Sequence, residues 1–232
     1  MIPLRDENPA ARPPVVTRLL IALNVAVFLY ELSLGPSIRP FMMAWGFLPA
    51  RLSMALHGGD GGGLPAVGLT VLSSMFLHGG WLHLIGNMWY LWIFGDNVED
   101  RLGHARYLVF YLAAGIVAAL VQYATSPDSS LPTVGASGAI AGVLGAYAVA
   151  FPRARVITLV PLFIFIQVLP LPALLVLGLW FVYQFLFGTL SLTTTATGGI
   201  AFWAHIGGFV FGALAMLLAG RPRSRSRAWV EA

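Results

Sequence analysis

Long apolar runs dominate the chain, and polar residues gather in the short segments between them. Six apolar stretches run roughly over residues 17–35, 81–98, 104–125, 136–151, 171–188 and 200–219. A helix needs about 17–25 mostly apolar residues to cross a bilayer, and most of these stretches approach or reach that length. The pattern therefore predicts an all-α membrane protein, with a six-helix domain over residues 17–219.

Two further segments fit the spanning pattern less well. Residues 156–169 are apolar, but about 14 residues are too few to cross the hydrocarbon core, and Pro161, Pro170 and Pro172 lie in or beside them. We expect this segment to be interfacial or re-entrant. Residues 1–16 are polar and contain prolines, without the apolar run and cleavage site of a signal peptide, which predicts a cytoplasmic N-terminal tail.

The segment between the first two stretches, residues 36–80, is not simply polar. It contains Trp45, a glycine-rich part at 58–63 and short apolar pieces. A fully solvated loop would be more polar. The sequence therefore predicts an extracytoplasmic loop that is partly embedded in the membrane surface.

Composition supports a membrane protein and excludes several kinds of chemistry. Hydrophobic residues make up 58% of the 232 residues and charged residues only 9%, whereas about 25% of a soluble domain is charged. The chain has no cysteine, which rules out disulfides, thiol catalysis and cysteine-ligated metals.

The basic residues predict the orientation. All 13 are arginines, and with six spans eleven of them fall on the side that carries both termini, against Arg39 and Arg51 on the other side. The positive-inside rule makes the majority side cytoplasmic, in the inner or plasma membrane of a cell. The basic tail at 220–232 is then a topology anchor that can touch anionic lipid, and not a nucleic-acid-binding segment.

Two polar residues in apolar stretches are candidates for catalysis. Ser137 follows Gly135-Ala136 at the start of the fourth stretch, and His205 lies inside the sixth. A serine at a helix start can simply cap the helix, and a buried histidine can simply bond to a neighbouring helix. Polar residues at membrane depth are nevertheless costly, so together they suggest a nucleophile and its general base.

Glycines next to both residues predict that their helices pack closely. Small residues four positions apart allow two helices to approach each other in lipid. Such pairs follow the candidate nucleophile and the candidate base, at Gly138 with Gly142 and Gly208 with Gly212. Close packing of these faces would bring the serine hydroxyl within about 3 Å of the imidazole, which is hydrogen-bond distance.

A third polar group precedes and enters the second stretch. His83 and Asn87 are four residues apart and share one helix face. Their side chains can stabilise an oxyanion, or they can be polar contacts between helices. A metal site of His78, His83 and His205 is disfavoured, because no carboxylate or fourth ligand is near them in the sequence; we expect no cofactor.

No acidic residue lies inside an apolar stretch near these groups. Glu31 lies near the end of the first stretch, and Asp96, Glu99 and Asp100 cluster at the cytoplasmic end of the second. The sequence therefore predicts a Ser–His dyad whose histidine lacks a third group to orient it.

Together these residues resemble the rhomboid family of intramembrane serine proteases. The resemblance covers about residues 16–219. It rests on four motifs in order: His78 with His83 and Asn87, Gly95-x3-Glu99-x-Arg101-Leu102-Gly103, Gly135-Ala136-Ser137-Gly138, and Ala204-His205-Ile206-Gly207-Gly208.

The resemblance implies a six-helix fold with a water-filled cavity open to the outside. It implies Ser137 as nucleophile and His205 as base, with His83, Asn87 and the Ser137 backbone N–H as oxyanion donors. Glu99 would be structural. The substrates would be transmembrane segments of other proteins, entering between the second and fifth spans, where Trp180, Phe181, Phe185 and Phe187 are candidate gate residues or simply packing aromatics.

The chain departs from the family pattern at one position beside the candidate nucleophile. Family members often carry a large aromatic four residues after the serine, stacked on the histidine, and here that position is Ala141. The alternative function is an inactive rhomboid-like chaperone that binds transmembrane segments. Such relatives usually lack the serine or the histidine, and both are present here.

Overall fold

The computed structural model describes residues 1–59, 61–162, 165–192 and 200–219. The predicted basic tail at 220–232 lies outside these residues. Within them the helices are α1 (Val15–Ser33), α2 (Ile38–Trp45), α3 (Pro49–Leu56), α4 (Gly63–Ser74), α5 (Trp81–Leu102), α6 (His104–Thr125), α7 (Ser137–Ala150), α8 (Ala173–Ser191) and α9 (Phe202–Leu218). The strands are β1 (Ile2–Asp6), β2 (Arg155–Leu162) and β3 (Phe165–Pro172).

The chain is a mostly helical, multi-pass membrane protein. Helices α1, α6 and α8 are each long and apolar enough to cross a bilayer, and α4, α7 and α9 are shorter apolar helices. Large apolar side chains such as Leu19, Val109 and Leu186 are 60% or more exposed on the outside of the bundle. Water would penalise so many exposed apolar groups, whereas lipid would not, so these faces are lipid-facing.

Helix α7 forms the centre of the bundle. Every residue from Gly138 to Ala148 is buried, and α7 packs against α5, α6, α8 and α9. The sequence of α7 is almost entirely Gly, Ala and branched apolar residues, which lets four neighbours approach its backbone. A helix of only 14 residues is therefore held at the core by packing on all sides.

The expectation of an all-α fold is wrong in one region, because the structure contains a three-stranded antiparallel sheet in the order β1-β2-β3. The apolar segment at 156–169 belongs to the β2–β3 hairpin, with Arg155 paired to Pro172 and Leu162 paired to Phe165. A run too short to span the membrane satisfies its backbone groups by pairing with itself, and its β-branched residues favour strands.

The N-terminal segment, predicted as a tail, supplies the third strand. β1 pairs with β2, and the segment bonds to two helices: Trp89 Nε1 donates to the Pro3 carbonyl oxygen over 2.7 Å, and the Tyr147 hydroxyl donates to Asp6. Burial raises the pKa of Asp6, and the hydrogen bond from Tyr147 opposes this only in part. The N-terminal segment therefore ties the middle of α5 to the C-terminal half of α7.

The described residues of the segment between α1 and α5, 34–59 and 61–80, are mostly helical and packed against the bundle. A short 3₁₀ turn at Gly35–Ser37 and helices α2, α3 and α4 make up most of this segment. Phe47 is fully buried in a cluster with Val67 and Val71 of α4 and Ala119 of α6. The segment thus covers α6 near the end of the bundle that carries the N-terminus of α7; its predicted place in the membrane surface stays a prediction.

Candidate active site

The fold brings the two candidate catalytic side chains together. Ser137 is the first residue of α7, and His205 lies in the first turn of α9. His205 Nε2 is 2.8 Å from Ser137 Oγ, which is hydrogen-bond distance between a nucleophile and a base. The packing of α7 against α9 thus joins two side chains that are 68 positions apart in the chain.

The glycines predicted to let α7 and α9 approach do lie between them. A side-chain carbon at Gly208 would overlap the carbonyl oxygen of Gly138, and one at Gly212 would overlap that of Gly142. The contact therefore joins backbone to backbone, with no flexible side chain between the two helices. Such a contact fixes the relative positions of the two helices, and with them the distance from Ser137 to His205.

A glutamine that the sequence analysis missed contacts the other imidazole nitrogen. Gln184 Oε1, on α8, is 2.8 Å from His205 Nδ1. The sequence predicted no third group beside the histidine, and that expectation is wrong because Gln184 contacts it. That analysis searched for an acid, but an amide also offers an acceptor oxygen, and Gln184 was visible as a polar residue within an apolar stretch.

Trp180 provides the aromatic contact that Ala141 cannot. Its ring centroid lies 6.0 Å from that of His205, with the two planes inclined by 37°. Ala141 is fully buried, and its Cβ faces Gly208, where an added carbon would lie only 3.3 Å away. Ala141 therefore lies at the close α7–α9 contact without a ring to place on the histidine, and a ring from α8 packs on the histidine instead.

His83 and Asn87 direct hydrogen-bond donors to the segment just before the candidate nucleophile. The Gly79 N–H donates to His83 Nδ1 over 3.3 Å, so the proton of a neutral His83 ring is on Nε2. Asn87 Nδ2 is buried and has no hydrogen-bond partner among the described residues. An unpaired buried donor is costly, so the Asn87 amide is suited to bind an oxygen from outside the protein.

Gly135 is required where it stands, two residues before Ser137. Its φ of +122° is rarely adopted by a residue with a side chain, and an added Cβ would lie 2.6 Å from His83 Nε2. Its N–H donates to the Ser74 carbonyl oxygen over 2.8 Å. The turn before α7 thus leaves space at the donor atoms that a side chain would fill.

These groups line a single cavity of about 600 Å³. The lining brings together the candidate nucleophile and base, both candidate oxyanion donors and the two α8 residues that contact the base: Ser137, His205, His83, Asn87, Trp180 and Gln184. Of the four candidate gate aromatics, only Trp180 lines this cavity. Phe181, Phe185 and Phe187 pack on aromatic rings of α9.

His78 does not line the cavity but supports a residue that does. It is 1% exposed, its N–H donates to both carboxylate oxygens of Glu31 over 3.2 and 3.3 Å, and its ring packs edge-on against His83 at 5.2 Å. Among the described residues, no group of three or more His, Asp or Glu side chains is arranged to hold a metal ion.

Glu99 lies far from the cavity, at the other end of α5. It is 1% exposed, and its carboxylate accepts hydrogen bonds from the backbone N–H groups of Val16 and Thr17, both over 2.8 Å, and from His104. A carboxylate at these N–H groups stabilises the start of α1. Its contacts therefore tie α1 to the junction of α5 and α6.

Comparisons with known proteins point to one family. The model of the rhomboid domain matches residues 67–222. The chain is 36% identical to the rhomboid protease GluP of Bacillus subtilis over 134 residues, which are 57% of this chain and 24% of that protein. It is 30% identical to the mitochondrial rhomboid protein 1 of Saccharomyces cerevisiae over 156 residues, 63% of this chain and 40% of that protein.

A third relative has a name that does not include an activity. The chain is 31% identical over 153 residues to the mitochondrial presenilin-associated rhomboid-like protein A of Danio rerio, covering 62% of this chain and 36% of that protein. The chain thus spans less than half the length of each of these relatives.

Proposed function

The chain belongs to the rhomboid family, and on that premise we propose that it is an intramembrane serine endopeptidase that cleaves transmembrane segments of other proteins. The observation that carries the proposal is the 2.8 Å contact between Ser137 Oγ and His205 Nε2 inside a cavity among apolar helices. A nucleophile in hydrogen-bond contact with its base is the minimal apparatus for acyl transfer.

The chemistry follows from these two groups. His205 Nε2 takes the proton of the Ser137 hydroxyl as the oxygen attacks the scissile carbonyl carbon, and the resulting imidazolium returns a proton to the leaving amine. The C–N bond breaks and an acyl-enzyme remains. Water from the cavity then attacks the ester, His205 accepts its proton, and the carboxylic acid product and free Ser137 are released.

His83 and Asn87 would stabilise the oxyanion of the tetrahedral intermediate. The donor atoms His83 Nε2 and Asn87 Nδ2 lie beside Gly135, and the N–H of Ser137 is at the N-terminus of α7. The first N–H groups of a helix have no partner within the helix and carry partial positive charge. Donors fixed in place before the reaction stabilise the developing charge without reorganising.

The surroundings of the cavity support a transmembrane segment as the substrate. A second cavity of about 380 Å³ lies between α5 and α8, and Tyr90, Trp180 and Gln184 line both it and the main cavity. A substrate helix entering sideways there would unwind where polar groups can satisfy its backbone, which hydrocarbon cannot do. Helix-breaking residues in the substrate should therefore favour cleavage.

The proposal includes the orientation of the chain. We place six spans, α1, α5, α6, α7, α8 and α9, with both termini on the cytoplasmic side and residues 34–80 outside. Because the chain has no cysteine, single cysteines can report accessibility without background. A cysteine at exposed His57 should react with an impermeant maleimide in intact cells, and one at exposed His104 only after permeabilisation. The reverse result would refute this orientation.

The decisive test uses purified protein in liposomes with a model transmembrane substrate. Ser137→Ala and His205→Ala should each abolish cleavage, and a fluorophosphonate probe should label Ser137 alone. Ser33→Ala and His57→Ala change the same residue types at exposed positions outside the cavity, and they should cleave as the wild type does. Equal cleavage by wild type and Ser137→Ala would reject the proposal. Substrate binding without cleavage by the wild type would instead favour the inactive chaperone.

The oxyanion assignment has its own test. Losing one such donor typically lowers the rate by roughly 10²–10³-fold, so Asn87→Ala should slow cleavage to that extent without lowering the melting temperature. Asn24→Ala is the matched control, because Asn24 is also buried but bonds within α1 to the Leu20 carbonyl oxygen. An unchanged rate in Asn87→Ala would remove Asn87 from the role.

A further inference from the structure

We propose that Gln184 is a positioning residue for His205, selecting the tautomer in which Nε2 is free to accept the serine proton. The inference rests on the proposed function and adds a third member to the predicted dyad. It is drawn from a continuous chain of two hydrogen bonds, from Ser137 Oγ to His205 Nε2 and from His205 Nδ1 to Gln184 Oε1, each 2.8 Å long.

The direction of these two bonds follows from what each group can donate. An amide oxygen only accepts, so His205 Nδ1 must carry the proton that is shared with Gln184. A neutral imidazole has one N–H, which leaves Nε2 as an acceptor facing the Ser137 hydroxyl. Without Gln184, the proton could move to Nε2, and a protonated Nε2 cannot act as the base.

A neutral amide suits this position better than a carboxylate would. In soluble serine proteases the third residue is usually an ionised aspartate, and in papain-like proteases it is an asparagine that orients the histidine without a charge. An ionised acid among apolar helices is costly. An amide keeps the acceptor oxygen and avoids most of that cost, and Gln184 is 6% exposed.

Contacts one turn before and one turn after hold Gln184 in place. On α8, Trp180 precedes it by four residues and packs on the ring of Phe209 as well as on His205. Gly188 follows it by four residues, and its carbonyl oxygen accepts a hydrogen bond from Trp203 Nε1 over 3.0 Å. Residues four apart share one helix face, so three consecutive turns of α8 are fixed against α9 and the amide faces the imidazole.

The experiment compares Gln184→Leu, Gln184→Glu and the control Gln122→Leu with the wild type in liposomes. Gln122 lies on α6, outside the cavity, so its change tests only the effect of replacing a glutamine in an apolar helix. General-base catalysis typically accelerates a reaction by about 10²–10⁴-fold. We expect Gln184→Leu to lose part of this acceleration, so that kcat falls by about 10–100-fold while KM is unchanged. Gln122→Leu should retain wild-type kcat.

The pH profile separates positioning from mere packing. Gln184→Glu restores an acceptor oxygen at Nδ1, so kcat at its own optimum should recover to within about 10-fold of the wild type. A carboxylate also stabilises the protonated imidazole, so the acidic limb of the rate–pH profile should move to higher pH by about one unit or more. In the wild type, ¹⁵N NMR of His205 should show a proton on Nδ1, and this proton should be lost in part from Gln184→Leu.

The possible outcomes distinguish this inference from the proposed function. If wild type and Gln184→Leu cleave equally while Ser137→Ala is inactive, only the role of Gln184 is overturned. It is also overturned if both Gln184 variants lose rate equally, in step with a lower melting temperature and with an unmoved pH profile. If the wild type neither cleaves a substrate nor labels with the probe, the proposed function itself fails.

Discussion

Helices α7 and α9, which carry the candidate nucleophile and base, pack quite differently from helix α8, which borders the cavity between α5 and α8. Helices α7 and α9 meet backbone to backbone at Gly138, Gly142, Gly208 and Gly212, where not even one carbon can be added. Helix α8 buries few of its residues, and an added carbon at its Gly178 would meet no atom within 4 Å. Yet α8 supplies both groups that contact the far side of the imidazole, Trp180 and Gln184.

The contrast shows that different helices determine the position and the orientation of the catalytic groups. The close α7–α9 contact fixes where Ser137 and the backbone of His205 lie, and the α8 side chains fix how the imidazole is turned. The same α8 residues line the cavity between α5 and α8. A change at the α7–α9 contact should therefore affect both folding and turnover. A change of the α8 side chains that contact His205 should lower turnover with little loss of stability, and a change elsewhere on α8 should do neither.

The largest expected effect comes from adding one carbon to the close contact. Gly208→Ala should force α9 away from the Gly138 carbonyl oxygen; such overpacking typically costs about 1–3 kcal/mol. A displacement of about 1 Å at the reacting atoms can cost about 100-fold in rate. We expect kcat to fall by about that factor and the melting temperature to fall with it, both measured in detergent or liposomes.

The matched change on α8 is Gly178→Ala. Because alanine favours a helix over glycine by up to about 1 kcal/mol in water, this variant should be as stable as the wild type or slightly more so, with unchanged kcat. Equal losses in the two variants would contradict the contrast between the helices.

A smaller effect is expected from Trp180→Leu. An aromatic contact contributes about 0.5–1.5 kcal/mol, which corresponds to roughly 2–10-fold in rate. We expect Trp180→Leu to lower kcat by that factor, with the melting temperature nearly unchanged. Trp180→Phe keeps an aromatic ring and should retain most of the wild-type kcat. The control is Trp92→Leu on α5, where the side chain is 60% exposed. If Trp180→Leu matched that control in kcat, the ring would have no part in holding His205.

The smallest effect concerns the opposite end of α7, which the sheet holds through the bond from Tyr147 to Asp6. Burial raises the pKa of Asp6, so the folded protein binds this proton more tightly than the unfolded chain. Protonated Asp6 therefore contributes to the free energy of unfolding at low pH. This contribution is lost as the pH rises from about 4, the unfolded pKa, past the raised pKa of the folded state. Asp6→Asn should remove that part of the pH dependence, which we put below about 1 kcal/mol because Asp6 is partly solvated.

The measurement for Asp6 is the melting temperature in detergent from pH 4 to 8. The difference between Asp6→Asn and wild type should grow in favour of the variant as pH rises, while exposed Glu7→Gln should follow the wild type. Parallel curves for Asp6→Asn and wild type would show that Asp6 contributes nothing of this kind.

The helical part of the fold could be predicted because lipid simplifies the problem. A run such as 104–125 can cross a bilayer only as a helix, since every backbone group must be satisfied within it, and α6 is found at His104–Thr125. The segment at 156–169 could not be assigned the same way. It pairs with β1, more than 140 residues earlier in the chain, and nothing in the apolar pattern specifies a partner so distant.

Part of the candidate site could likewise be predicted from the sequence, and part could not. Ser137, His205, His83 and Asn87 were evident because polar residues in apolar surroundings need a reason to be there. Gln184 meets the same criterion, but its partner depends on how α8 is turned against α9. The unpaired donor at Asn87 Nδ2 likewise becomes visible only when the atoms around it are known.

The sequence by itself determined that this is a membrane protein of the rhomboid family, with small residues where two helices must meet and polar residues where hydrocarbon would reject them. Composition and spacing are sufficient for that, because they act locally along each helix. Only the tertiary structure decided which atom of His205 faces Ser137 and which faces Gln184, and which ring replaces the one absent at Ala141. Those choices depend on the rotation of separate helices about their axes, which is set by packing between segments far apart in the chain.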